Sequence, residues 1–92
     1  MPVEVSVKFR DGFVLTYPPC ETGIVSYARA AAWITRFPAA KCREFSDRRD
    51  VFLIDHHTGE QTNSRAERTV MHIVIDIPEP ASKEIRELVA SI

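Results

Sequence analysis

The sequence predicts an α+β domain: a single mixed or antiparallel sheet of 4–5 strands with two helices packed on one face, in the order β-β-α-(β)-β-β-α. Three observations carry that expectation. Val3, Val5, Val7 and Phe9 alternate with Glu4, Ser6, Lys8 and Arg10, the period of a half-buried strand. Residues 69–77 repeat the pattern, with Met71, Ile73, Ile75 and Ile77 on one side. Two further stretches, 22–37 and 81–92, carry apolar residues at helical spacing beside prolines that set their ends. Ninety-two residues, 45% of them apolar, suffice for one core and not for two, so 1–92 is read as one domain.

Each element follows from local chemistry. After the first strand the chain turns at Arg10-Asp11-Gly12 and returns through Phe13–Tyr17. A two-residue Asp11-Gly12 loop would place Leu15 opposite Lys8, on the wet face. A three-residue loop pairs Phe9 with Phe13, Val7 with Leu15 and Val5 with Tyr17, and puts Gly12 at the left-handed position. The second turn is therefore expected. Pro18-Pro19 stops the return strand, and Thr22 is the expected N-cap of a helix running to Phe37. Its apolar stripe reads as Ile24, Tyr27, Ala28, Ala31 and Ile34. Residues 41–46 make a weak, polar strand, Val51–Asp55 a buried one, and 61–67 an exposed loop or ragged strand. Pro78 and Pro80 separate strand 69–77 from a last helix with Ala81, Ile85, Leu88, Val89 and Ile92 on one side. That helix is expected to dock on the Met71–Ile77 face, with Leu88→Ala costing about 2–5 kcal/mol.

Over its first 35 or so residues this pattern resembles a β-grasp domain such as ubiquitin, the alternative arrangement for the sheet.

Composition narrows the function classes. Twelve basic against thirteen acidic residues give a net charge of −1, which removes the simplest argument for nucleic-acid binding. No apolar run approaches the roughly 20 residues of a membrane span. The opening residues read as a strand and not as an export signal, so a cytoplasmic setting with Cys20 and Cys42 as free thiols is expected.

Chemistry-bearing residues are few. Asp55-His56-His57, at the end of an apolar run, resembles the Asp-His-His signature of the DHH phosphoesterases, whose residues help hold manganese or magnesium over a phosphoester. The resemblance covers three residues and the strand before them; the family's further aspartates and second domain have no counterpart here. With His72 these residues form the weak candidate metal set, the minor reading being a metal-dependent hydrolase. No cofactor is expected. Cys20 precedes a helix N-terminus, but the cysteine-phosphatase spacing would need an arginine where Ser26 stands. Arg29, Trp33 and Arg36 share one helix side at i, i+4 and i+7, as a base-stacking, phosphate-binding strip would, giving the nucleic-acid accessory reading. Val14, Val70, His72 and Val74 fall on the sheet face away from the core, which looks incompletely covered. The leading expectation is therefore a small non-catalytic interaction domain. It would bind protein, as a homodimer or with another partner, through a sheet face or edge.

Overall fold

A computed structural model describes residues 2–20, 23–51 and 66–90. Strands β1 (Val3–Phe9) and β2 (Val14–Cys20) form an antiparallel hairpin in the three-residue register: Val5 faces Tyr17 and Val7 faces Leu15. The Phe9 N–H donates to the Phe13 carbonyl at 2.9 Å, and Gly12 adopts φ 92°, the left-handed conformation that a side chain would strain. Helix α1 (Gly23–Arg36) follows, then β3 (Lys41–Val51), β4 (Ala66–Ile77) and α2 (Lys83–Ala90).

The strands form one mixed sheet in the order β2-β1-β4-β3. Its centre is a parallel pair, β1 with β4, running from Val3 opposite Met71 to Phe9 opposite Ile77. Both outer pairs are antiparallel. Alternation sends Val3, Val5, Val7, Phe9, Ile73, Ile75 and Ile77 into one buried cluster with Leu15, Ala30, Trp33, Ala81 and Ile85. Both helices therefore lie on the same side of the sheet.

Strand β2 runs through Pro18 and Pro19 to Cys20, opposite Val3, where those prolines were expected to stop it; on an edge strand their missing donors are tolerated. Two further expectations require correction. Helix α1 does not bury the stripe that counting apolar residues selects. Ile24 is 80% exposed, and Tyr27, Ala28 and Ala31 are exposed too. The buried side is Ser26, Ala30 and Trp33, continued by half-buried Phe37. Ser26 donates its hydroxyl to the Val3 carbonyl at 2.7 Å, and Ala30 has no bulk to hold the helix off the sheet. Trp33 then fills the space over Phe9, with ring centroids 5.9 Å apart. Ser26 and Trp33 thus take the buried side in place of Ile24, Tyr27, Ala28 and Ala31, because hydrogen bonding and shape set the rotation. Ile34 remains half-buried as expected. Thr22 lies outside the described residues.

Strand β3 is the second of these. It is one continuous strand of 11 residues running through Val51, where a weak segment confined to 41–46 was expected; the strand expected at Val51–Asp55 falls, past Val51, outside the described residues. Val51 is its last residue; residues 52–55 and 61–65 lie outside the described set. β4 begins at Ala66, where a loop or ragged strand was expected. β3 pairs with β4 over its full length although it has almost no apolar residues. An edge strand needs a partner on one side only, and here cross-strand ion pairs replace apolar contacts. Arg43 binds Asp76 at 2.8 Å and Arg48 binds Glu67 at 3.0 Å.

Helix α2 docks on its own sheet through buried Ile85, and Ala81, just before the helix, is buried with it. Asp11, in the hairpin turn, ties it down: its carboxylate accepts from the Phe13 N–H, the Ala81 N–H and the Arg86 guanidinium. Burial opposes ionisation there, but those three donors outweigh it and hold the carboxyl below its ordinary range.

Candidate functional site

The face of the sheet away from the helices carries the densest polar chemistry among the described residues. Register assigns it Glu4, Ser6 and Lys8 from β1, Val70, His72, Val74 and Asp76 from β4, and Lys41, Arg43, Phe45, Asp47 and Arg49 from β3. His72 is its centre. Its Nδ1 lies 3.2 Å from Glu4 Oε1, one strand away on β1. Its Nε2 lies 2.9 Å from Asp47 Oδ1, on β3. Phe45 stacks flat on the imidazole, centroids 4.7 Å apart. Arg49 closes the network, donating to Asp47 at 2.8 Å and lying 3.8 Å from Glu4. Three strands are thus joined by one chain of charged hydrogen bonds across a buried ring. A neutral imidazole can donate to only one of its two carboxylates; donating to both takes the second proton.

Hydrogen bonds from Arg49, then from His72, draw the Asp47 carboxyl down to about 2. A carboxylate whose folded value is depressed stabilises the fold above its unfolded value near 3.9, and that contribution disappears as pH falls through the folded value. Acid titration should therefore weaken the β3–β4 end of the sheet between about pH 4 and pH 2. Chemical shifts of residues 45–49 and 70–72 will follow the loss. In Asp47→Asn this part of the acid response should be absent; an unchanged response would place the sensitivity elsewhere.

The structure disposes the candidate residues unevenly. Val70, His72 and Val74 lie on the outer face, as alternation demands, but all three are buried, so this face is better covered than expected. The Arg43–Asp76 bridge runs diagonally beside Val74, and Asp47 flanks Val70. Of that set only Val14 is exposed. Trp33 is 7% exposed and its Nε1 donates to the Tyr17 hydroxyl at 3.0 Å, so its ring is not offered to a base. Arg29 lies over Tyr17 and Arg36 over Phe37; the arginines pack on aromatic rings of this chain. Asp55, His56 and His57 lie outside the described residues. The two nitrogens of His72 face opposite carboxylates, and no cluster of three or more His, Cys, Asp or Glu able to hold an ion occurs among the described residues. Cys20 is buried, 3.6 Å from Arg29 Nη1. Cys42 is exposed, and desolvation followed by the charge of Glu44 pushes its thiol up, away from nucleophilic character.

Sequence reading missed Phe45 and the length of β3. Phe45 is 49% exposed, in the middle of the outermost strand, and no described strand pairs with that strand's outer edge. The available signal was the alternation of Arg43, Phe45, Asp47 and Arg49 on one face. It is faint, because the intervening residues are polar too.

The fold and this site define an α+β sheet domain with a charged, ring-centred outer face and a β3 edge that no described strand pairs. No protein-family model, no curated protein and no solved structure matches the chain.

Proposed function

We propose that this chain is a non-catalytic interaction domain that self-associates by joining the β3 edge of one copy, antiparallel, to the β3 edge of a second. The observation that supports this reading is the contrast between the two sheet edges. β2 carries Pro18 and Pro19, which lack the donors a ladder needs. β3 offers 11 residues without a proline, and so an unbroken row of N–H and C=O groups. Its charges select a register. With a two-fold axis through Phe45, residues facing each other sum to 90 in number, so Arg43 of each copy meets Asp47 of the other. The two exposed rings meet on the axis, a contact worth about 0.5–1.5 kcal/mol beyond area burial. Lys41 then opposes Arg49, a like-charge pair at the margin, where long side chains diverge into solvent. Seven of the eleven β3 residues are charged, which protects the edge from indiscriminate pairing.

Sedimentation of the purified chain across the micromolar range tests the proposal. The wild-type chain and Phe45→Tyr should show a concentration-dependent dimer, and Phe45→Lys a monomer with its thermal unfolding little changed. A wild-type chain that stays monomeric throughout, or a Phe45→Lys dimer as tight as the wild type, overturns it.

A further inference from the structure

A second feature of the sheet shares only Lys41 with the β3 edge. At one end of the molecule the parallel strands β1 and β4 both terminate, and β3 begins beside them. There a cleft of about 350 Å³ opens, within the size range of small-ligand sites. Clefts outside the carboxyl ends of parallel strands are where open sheets commonly hold ligands.

The cations are distributed tellingly. Among the described residues, Arg43, Arg48, Arg49, Lys83 and Arg86 each meet a carboxylate. Arg29 and Arg36 lie over aromatic rings, and Arg68 is also engaged. The three that remain, Lys8, Arg10 and Lys41, are exposed, have no carboxylate within 4.0 Å among the described residues, and all line this one cleft. Register explains the convergence: Lys8 and Lys41 flank the same β4 residue, Asp76, from opposite sides. Asp76 does not neutralise them, because Arg43 occupies both its oxygens, at 2.8 and 3.5 Å. Arg10 is held at the rim by its backbone N–H, which donates to the Glu79 carbonyl at 2.9 Å. The wall between these cations is apolar, formed by Ala39, Ile77 and Pro78.

We infer that this cleft binds a phosphate monoester carrying a small apolar body: the dianionic phosphate sits among Lys8, Arg10 and Lys41, and the body lies on Ala39 and Pro78. Two ammonium groups and a guanidinium fork match a doubly charged tetrahedral group better than a singly charged carboxylate. The apolar wall gives the ester an advantage over the free ion.

The test uses the full chain, labelled with nitrogen-15 and titrated with phenyl phosphate, inorganic phosphate and benzoate at constant ionic strength. Phenyl phosphate should shift amides confined to residues 8–10, 39–41 and 76–78, and should bind about ten-fold or more tightly than either of the others. The double variant Lys8→Gln/Lys41→Gln, and separately Arg10→Gln, should each weaken it by about ten-fold or more, with Arg48→Gln and Lys83→Gln unaffected. All are exposed positions, and an unchanged melting temperature will show that the variants fold. No saturable shift at millimolar ligand, shifts spread equally over Arg48 and Lys83, equal affinity for benzoate, or undiminished binding by the cleft variants each overturns the inference. Lys41 belongs to both the cleft and the β3 edge, but Arg10 lies off that edge, so loss of binding in Arg10→Gln with an unchanged sedimentation profile separates the two, and failure of either proposal leaves the other standing.

Discussion

Trp33→Ala is expected to cost about 3–5 kcal/mol of folding stability, the largest single loss at any position of α1. The indole sits edge-on to Phe9 at 5.9 Å and parallel to Phe37 at 6.0 Å, so truncation opens a space that three rings now share. It also removes the donor to the Tyr17 hydroxyl. A domain of this size has on the order of 5–14 kcal/mol in total, so the variant should be substantially unfolded at modest urea. Trp33→Phe keeps a ring and loses the hydrogen bond, and should cost only about 1–2 kcal/mol. Trp33 is the only tryptophan, so its fluorescence follows unfolding of the wild type, and circular dichroism follows the variants. Wild-type stability in Trp33→Ala would mean that the indole is not part of the core.

The second large effect separates two residues of α2 that the sequence treats alike. Ile85 is 3% exposed and belongs to the core cluster; Leu88, one turn on, is 50% exposed. Ile85→Ala should cost about 2–5 kcal/mol and Leu88→Ala about 1 kcal/mol or less. This reverses the weight that the apolar stripe gave to Leu88. The reason is how the helix is anchored: Asp11 takes the Ala81 N–H and the Arg86 side chain, which fixes the first turns on the sheet and leaves later ones more exposed. Equal losses at both positions would show that α2 lies flat along its whole length.

What was legible in the sequence was whatever alternates against a buried face. Val3–Phe9 and Met71–Ile77 announced themselves because every second side chain goes to the core. The hairpin register followed from Gly12 and from the need to keep Leu15 off the Lys8 side. The face of α1 was not legible, because Ser26 is buried by a hydrogen bond to a strand 23 residues earlier in the chain, which no local pattern records. β3 was illegible for the opposite reason: neither of its faces is covered, so its residues obey no burial rule. The network around His72 is likewise assembled from three strands, with Glu4 and His72 separated by 68 residues. Only the sheet order brings such residues together.

The parallel seam between β1 and β4 has a consequence for how the chain folds. The β1–β2 hairpin closes over a few residues and can form early, whereas the seam joins Val3 to Met71 and Phe9 to Ile77. Closing so long a loop costs chain entropy before any contact repays it, so folding should be limited by that step and slow for a domain of this length. During synthesis the wait is longer still: β1 has no inner neighbour until residue 77 has left the ribosome. Through that interval Val3, Val5 and Val7 are a bare apolar ladder with free N–H and C=O groups beside it, the part of the nascent chain most exposed to mispairing with other chains.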